Sequence, residues 1–153
     1  MDMNEAYMKR ALELAKGGWG RTNPNPLVGA VIVKNEEIVA EGYHEVLGCA
    51  HAEVAAFNNV KQDVKGSTLY VNLEPCSHFG RTPPCAKAII EAGIREVVIA
   101  MVDPNPKVSG CGIRMLEDAG IKVVTGVLEK EAMRLNEIFI KYITKKKPFV
   151  IMI

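Results

Sequence analysis

The stretch Glu74-Pro-Cys-Ser-His-Phe-Gly-Arg-Thr-Pro-Pro-Cys85 carries two cysteines, each directly after a proline, among polar and turn-forming residues. The chain has only two others, Cys49 and Cys111. Thiols in a chain without an export signal are expected to be reduced, so a pair on one loop points to metal or redox chemistry. Upstream, Cys49-Ala-His-Ala-Glu53 supplies an imidazole, His51, and a carboxylate, Glu53, two residues apart. One imidazole and two thiolates suit Zn2+, and three protein ligands leave the fourth tetrahedral position for water, as in a catalytic site. Glu53 would then take a proton from that water and return it to a ring nitrogen and a leaving amine. The chemistry implied is hydrolytic deamination.

His51, Cys76 and Cys85 are far apart in sequence, so the fold must gather them. Residues 4–16 place Tyr7, Met8, Ala11, Leu12 and Ala15 at helical spacing, with Asn4 as N-cap and Gly17-Gly18 as a stop. Residues 19–26, with two Asn-Pro pairs, read as an ordered loop. Strands over 28–34 and 37–43 flank an Asn35-Glu36 turn as a hairpin. A helix is expected over 50–60 with Val54, Ala55 and Phe57 facing inward, and a strand over 67–73. Then follow a helix over 85–92, a strand over 96–101, a turn at Asp103-Pro-Asn-Pro106 and a helix over 109–119. A strand over 121–125 and a last helix over 129–144 complete the chain.

Strands separated by helices imply right-handed crossovers and a parallel run beside the antiparallel hairpin. The expected fold class is α/β: one three-layer α/β/α domain with a mixed five-stranded sheet. In such a sheet the carboxyl ends of the strands and the N-termini of the following helices share one edge, where sites collect. Helix N-termini also favour thiolate over thiol. His51, Cys76 and Cys85 are therefore expected to converge there.

At 153 residues the chain fits one domain, taken as 1–147. A net charge of +1 gives no field for a polyanion, and the run Lys145-Lys146-Lys147 reads as a solvated tail, so no nucleic-acid partner is expected. Neither a signal peptide nor a run of about 18 apolar residues is present, so no membrane partner and a cytoplasmic location are expected. Residues 148–153 form a stub: Lys147-Pro-Phe-Val-Ile-Met-Ile153 begins another β-type run and stops.

The order H-x-E followed by P-C…C, each at a predicted helix start, matches the signature of the zinc nucleobase deaminases. The sequence resembles the cytidine-deaminase-like superfamily but has eight residues between Cys76 and Cys85 where the common version has two. That longer insertion resembles the deaminases of riboflavin biosynthesis. So do Asn23-Pro-Asn-Pro-Leu-Val-Gly29, Gly42-Tyr-His44, Cys49-Ala-His-Ala-Glu-Val54, Tyr70-Val-Asn-Leu-Glu-Pro-Cys76 and Asp103-Pro-Asn-Pro106. The resemblance implies a cytidine-deaminase-like fold and a small phosphoribosylaminopyrimidine substrate. It implies His51, Cys76 and Cys85 as ligands of one zinc ion, Glu53 as the proton shuttle and Asn23 as the group holding the pyrimidine. It further implies His44, His78, Arg81, Asp103 and Asn105 as the ribose-phosphate pocket. In the bacterial relatives that this resemblance brings in, an NADPH-dependent reductase domain follows, and the 148–153 stub resembles its first strand. NADPH would therefore serve only that absent domain, and this chain is expected to be a truncation or a naturally split form.

Plainer readings stand beside these. Cys49 and Cys111 read as small buried apolar residues, although Cys49 could close the zinc tetrahedron and make the site structural. His78 and Arg81 read equally as solvated loop residues, while Asn23, Asn105 and Asp103 read equally as turn formers. Glu74 reads as structural and Trp19 as packing beside the Asn-Pro loop. Leu135, Ile138, Phe139 and Tyr142 form a stripe at helical spacing, either core or the contact of an expected homo-oligomer, dimer or higher. Two rival functions stay open: a zinc deaminase of another base, and a zinc-stabilised binding module without catalysis. A thiol-disulfide enzyme is disfavoured, because Cys76 and Cys85 lack Cys-x-x-Cys spacing.

Overall fold

Runs rich in β-branched and aliphatic residues become strands, the three inner ones buried on both faces and the two edge ones partly exposed. In the computed structural model, which describes residues 2–78 and 83–145, these are β1 Gly29–Lys34, β2 Glu37–Tyr43, β3 Thr68–Leu73, β4 Glu96–Met101 and β5 Lys122–Thr125. They form one sheet in the order β2-β1-β3-β4-β5. Strand β1 runs antiparallel to β2 and to β3, whereas β3, β4 and β5 are mutually parallel. Asn35 and Glu36, with φ of 53° and 65°, make the tight turn between β1 and β2.

The helices are α1 Met3–Ala15, α2 Ala52–Asn59, α3 Cys85–Glu91, α4 Cys111–Asp118, α5 Glu129–Leu135 and α6 Glu137–Lys145. Alternation along each strand divides the core in two. Ala30, Ile32, Leu69, Val71, Val97 and Ile99 face α2, α3 and α4, where they meet Ala52, Ala56, Ala86, Ile89 and Leu116. Val31, Val33, Tyr70, Val98 and Ala100 face the other way, onto Met8, Ala11 and Leu12 of α1 and Ala132 of α5. Burying a side chain such as Leu69 or Ile99 stabilises the fold by roughly 1.5–3 kcal/mol. Three layers and a mixed sheet are as the strand and helix order implied. No helix among the described residues is long and apolar enough to cross a membrane.

Several local expectations are corrected. The N-cap of α1 is Asp2, whose side chain accepts the Glu5 N–H at 2.9 Å, while Asn4 accepts the Tyr70 hydroxyl at 2.8 Å. Helix α2 buries Ala52, Glu53 and Ala56 rather than Val54, Ala55 and Phe57, which are half-buried. Its small residues let it press on β2, where a Cβ at Gly42 would meet Ala56 N at 2.3 Å. The last helix is broken at Asn136, whose φ of −105° and ψ of 26° leave the helical region. Cys49 and Cys111 are exposed, not buried. The 148–153 stub and Arg81 lie outside the described residues.

Glu74 is structural. Its buried carboxylate accepts the backbone N–H groups of Asp103 and Gly110 at one oxygen and of Gly112 and Ile113 at the other, at 2.9–3.2 Å. This single side chain ties the end of β3 to the loop after β4 and the start of α4. Replacing it with alanine is expected to cost at least about 3 kcal/mol, because four backbone donors lose their acceptor and each one left buried and unpaired costs about 1–3 kcal/mol. Urea unfolding checks this, with Glu74→Gln, which keeps one carbonyl oxygen, falling between wild type and Glu74→Ala. Wild-type stability in Glu74→Ala would contradict it.

Candidate active site

Each member of the predicted cluster sits where a sheet edge hands over to a helix. His51 is the N-cap of α2, Glu53 is the second residue of that helix, and Cys85 opens α3. Cys76 lies three residues past the end of β3. The loop between the two cysteines is closed at its ends by two backbone donors: Cys85 N–H to Cys76 Sγ, and Ala86 N–H to the Cys76 carbonyl, both at 3.1 Å.

The donor atoms converge. His51 Nδ1 lies 3.2 Å from Cys85 Sγ and 3.9 Å from Cys76 Sγ, and the three ligand atoms all fall within 4.8 Å of one another. Donors bound ~2.0–2.3 Å from one tetrahedral ion lie roughly 3.3–3.8 Å apart, so the two His51–sulfur distances are close to that spacing and the donor types suit Zn2+. No other such group of three or more occurs among the described residues, and Cys49 is not part of this one.

Burial and mutual charge set the protonation states. Glu53 is 3% exposed, and burial pushes its carboxyl up to about 7. Hydrogen bonding from Cys85 and then from His51 draws the Cys76 thiol down to about 4. Cys85 moves the other way, raised first by its hydrogen bond to Cys76 and next by burial. The pair thus shares its proton unequally, with the thiolate on Cys76. His51 is raised, chiefly by its bond to Cys76.

A cavity of about 270 Å³ opens onto this cluster and is lined by Asn25, His44, His51, Glu53, Cys76 and His78, with Phe139 as an apolar wall. His44 is buried, and burial lowers its pKa, so the ring is neutral. Its Nδ1 faces the Ala50 carbonyl at 3.1 Å, an acceptor only, so Nδ1 carries the proton. Its Nε2 therefore accepts from Asn25 Nδ2 at 3.2 Å, which fixes how the Asn25 amide is turned.

The remaining predicted residues divide. His78 is exposed at the cavity wall. Asn23, joined to Pro24 by a cis peptide bond, lines a smaller neighbouring cavity instead, with Trp19, which is 66% exposed. Asp103 and Asn105 each accept a backbone N–H two residues on, from Asn105 at 2.9 Å and Lys107 at 3.1 Å, and neither lines the 270 Å³ cavity. Burial raises the Asp103 carboxyl, and the hydrogen bond from the Asn105 N–H opposes that shift. Among the lining residues outside the predicted set are Asn25 and Phe139. Asn25 sits in the same Asn-Pro-Asn-Pro repeat as Asn23, where sequence alone does not say which amide faces inward.

Such a site on a three-layer mixed sheet defines a class of zinc-binding deaminases, and the comparisons with known proteins agree. Residues 1–101 match the family model described as the cytidine and deoxycytidylate deaminase zinc-binding region. The riboflavin biosynthesis protein RibD of Actinobacillus pleuropneumoniae is 58% identical over 146 residues, 95% of this chain and 39% of that protein. The diaminohydroxyphosphoribosylamino-pyrimidine deaminase of Buchnera aphidicola subsp. Schizaphis graminum is 52% identical, over 88% of this chain and 92% of that one. The solved Thermotoga maritima diaminohydroxyphosphoribosylaminopyrimidine deaminase/5-amino-6-(5-phosphoribosylamino)uracil reductase superposes with a TM-score of 0.91 at 54% identity, covering 95% of this chain and 42% of that one. The chain thus spans about two fifths of the longer relatives. It belongs to the diaminohydroxyphosphoribosylaminopyrimidine deaminase family of riboflavin biosynthesis.

The thiol assignments predict a labelling pattern. A lowered pKa means ionisation at lower pH, so in chelator-treated protein Cys76 is already thiolate at about pH 6 and should be alkylated ahead of Cys85. Added zinc should suppress the reaction. Mass spectrometry of iodoacetamide-treated protein checks both; preferential labelling of Cys85 would contradict the assignment.

Proposed function

We propose that this chain hydrolyses the ring 2-amino group of 2,5-diamino-6-(5-phosphoribosylamino)pyrimidin-4(3H)-one, giving 5-amino-6-(5-phosphoribosylamino)uracil and ammonia. The observation that carries this reading is the convergence of His51 Nδ1 and the two cysteine sulfurs beside a buried carboxylate in one cavity. His51, Cys76 and Cys85 would hold zinc. Bound there, the ion supplies Lewis acidity that makes water an effective nucleophile near neutral pH.

The chain's own residues do the rest. Glu53 takes a proton from water as C–O forms and gives it to the ring nitrogen whose C=N bond opens; it then moves the proton of the new hydroxyl to the amine nitrogen, so C–N breaks, C=O forms and ammonia leaves neutral. Burial shields that carboxylate from bulk water. The Asn25 amide, fixed by His44, is assigned to grip the pyrimidine edge; this role passes to it from Asn23, whose cavity is the adjacent one. His78, Asp103 and Asn105 remain the groups proposed for the ribose phosphate, together with Arg81. Phe139 offers the ring an apolar face.

Purified protein should carry one zinc per chain and release ammonia from the diaminopyrimidine ribotide in preference to cytidine or dCMP. Glu53→Gln should keep fold and zinc yet lose about 10²–10⁴ in kcat, the span of one acid–base group. Undiminished turnover in that variant would overturn the mechanism, and ammonia from a different base alone would overturn the substrate.

A further inference from the structure

The loop carrying Asn25 is fastened by residues remote in sequence. The Leu27 N–H donates to Asn136 Oδ1 at 2.8 Å, and Asn136 Nδ2 donates to the Leu27 carbonyl at 2.9 Å. Asn72 of β3 donates to that same carbonyl at 3.0 Å and accepts the Gly29 N–H at 2.8 Å. Both asparagines are buried. Leu27 precedes β1, so its peptide has no ladder partner, and two side-chain amides satisfy it instead. Two residues earlier, Asn25 reaches His44 at the cavity wall.

Asn136 also stands at the break between α5 and α6, and Phe139, about one turn later, lines the same cavity. Asn136 itself faces the adjacent small cavity and does not line this one. The Leu27 peptide presents a donor and an acceptor to one side chain, and a carboxamide is the group that answers both.

We propose that Asn136 is a positioning residue: through the Leu27 peptide it sets the Asn25 amide, and through the helix break the Phe139 ring, against the pyrimidine. This rests on the role assigned to Asn25 above. An alanine at 136 would leave the Leu27 N–H unpaired and loosen the loop, with only Asn72 still holding the Leu27 carbonyl, while leaving His51, Cys76 and Cys85 untouched.

Steady-state kinetics and amide hydrogen exchange on zinc-loaded protein test this together. Asn136→Ala should raise KM on the order of tenfold with a smaller change in kcat and full zinc content, since loosened substrate positioning weakens binding at the site. The Leu27 amide should exchange at least about tenfold faster, while Val98 and Ile99 in β4 keep their protection. Asn136→Asp, which retains the acceptor but not the donor, should fall between and serves if the alanine variant folds poorly. In the double variant with Asn25→Ala, KM should rise by clearly less than the product of the two single effects, because one of the two positioned groups is already gone. Multiplying KM effects, unchanged Leu27 exchange, or protection lost throughout the sheet would each overturn the proposal. Should wild type release no ammonia from the ribotide, the functional reading fails separately. The clamp is then decided by Leu27 exchange and the Asn25 side-chain amide resonance, which Asn136→Ala should shift or broaden.

Discussion

A carboxylate, two sulfurs and an imidazole are packed at one sheet edge with little water around the carboxylate, and that crowding is the constraint the rest of the structure serves. Isolated buried charge is costly, so such groups neutralise, pair or bind a cation. Here the tension shows in opposite shifts: Glu53 up and Cys85 up, Cys76 down, with a thiolate and a thiol side by side. Under the proposed function a divalent cation relieves that crowding, and it converts a strained polar cluster into a reaction centre.

The scaffold holds the cluster from several directions. Close approach of α2 to β2 at Gly42 places His51 and Glu53, and the two backbone donors at the ends of the cysteine loop place Cys76 against Cys85. Glu74 locks the neighbouring loop after β4. A Cβ at Gly112 would lie 2.0 Å from the Pro75 carbonyl, so α4 also packs hard against the segment leading to Cys76. These are backbone-level restraints, which leave the ligand side chains little freedom to drift.

Periodicity and turn chemistry made most of the fold legible in the sequence: all five strands, and the helices up to residue 118, lie within a few residues of their expected positions. The gathering of His51, Cys76 and Cys85 was legible because residue type, order and position at helix starts all agreed. What escaped was decided by long-range packing. Asn136 looks like any helical surface residue until its carboxamide meets Leu27, 109 positions away. Phe139 reads as core until the helix break lets it line a cavity, and Asn25 is indistinguishable from Asn23 until His44 fixes its amide. Glu53 at a buried helical position contradicts simple amphipathic patterning, a local inconsistency of the sort expected at functional sites.

Everything depends on which atoms surround the ion. X-ray absorption at the zinc edge of the loaded protein counts them directly. Two sulfurs at ~2.3 Å with one imidazole nitrogen are the protein ligands predicted from His51, Cys76 and Cys85. A third sulfur, which only recruitment of Cys49 or Cys111 could provide, or a shell without sulfur, would contradict the account.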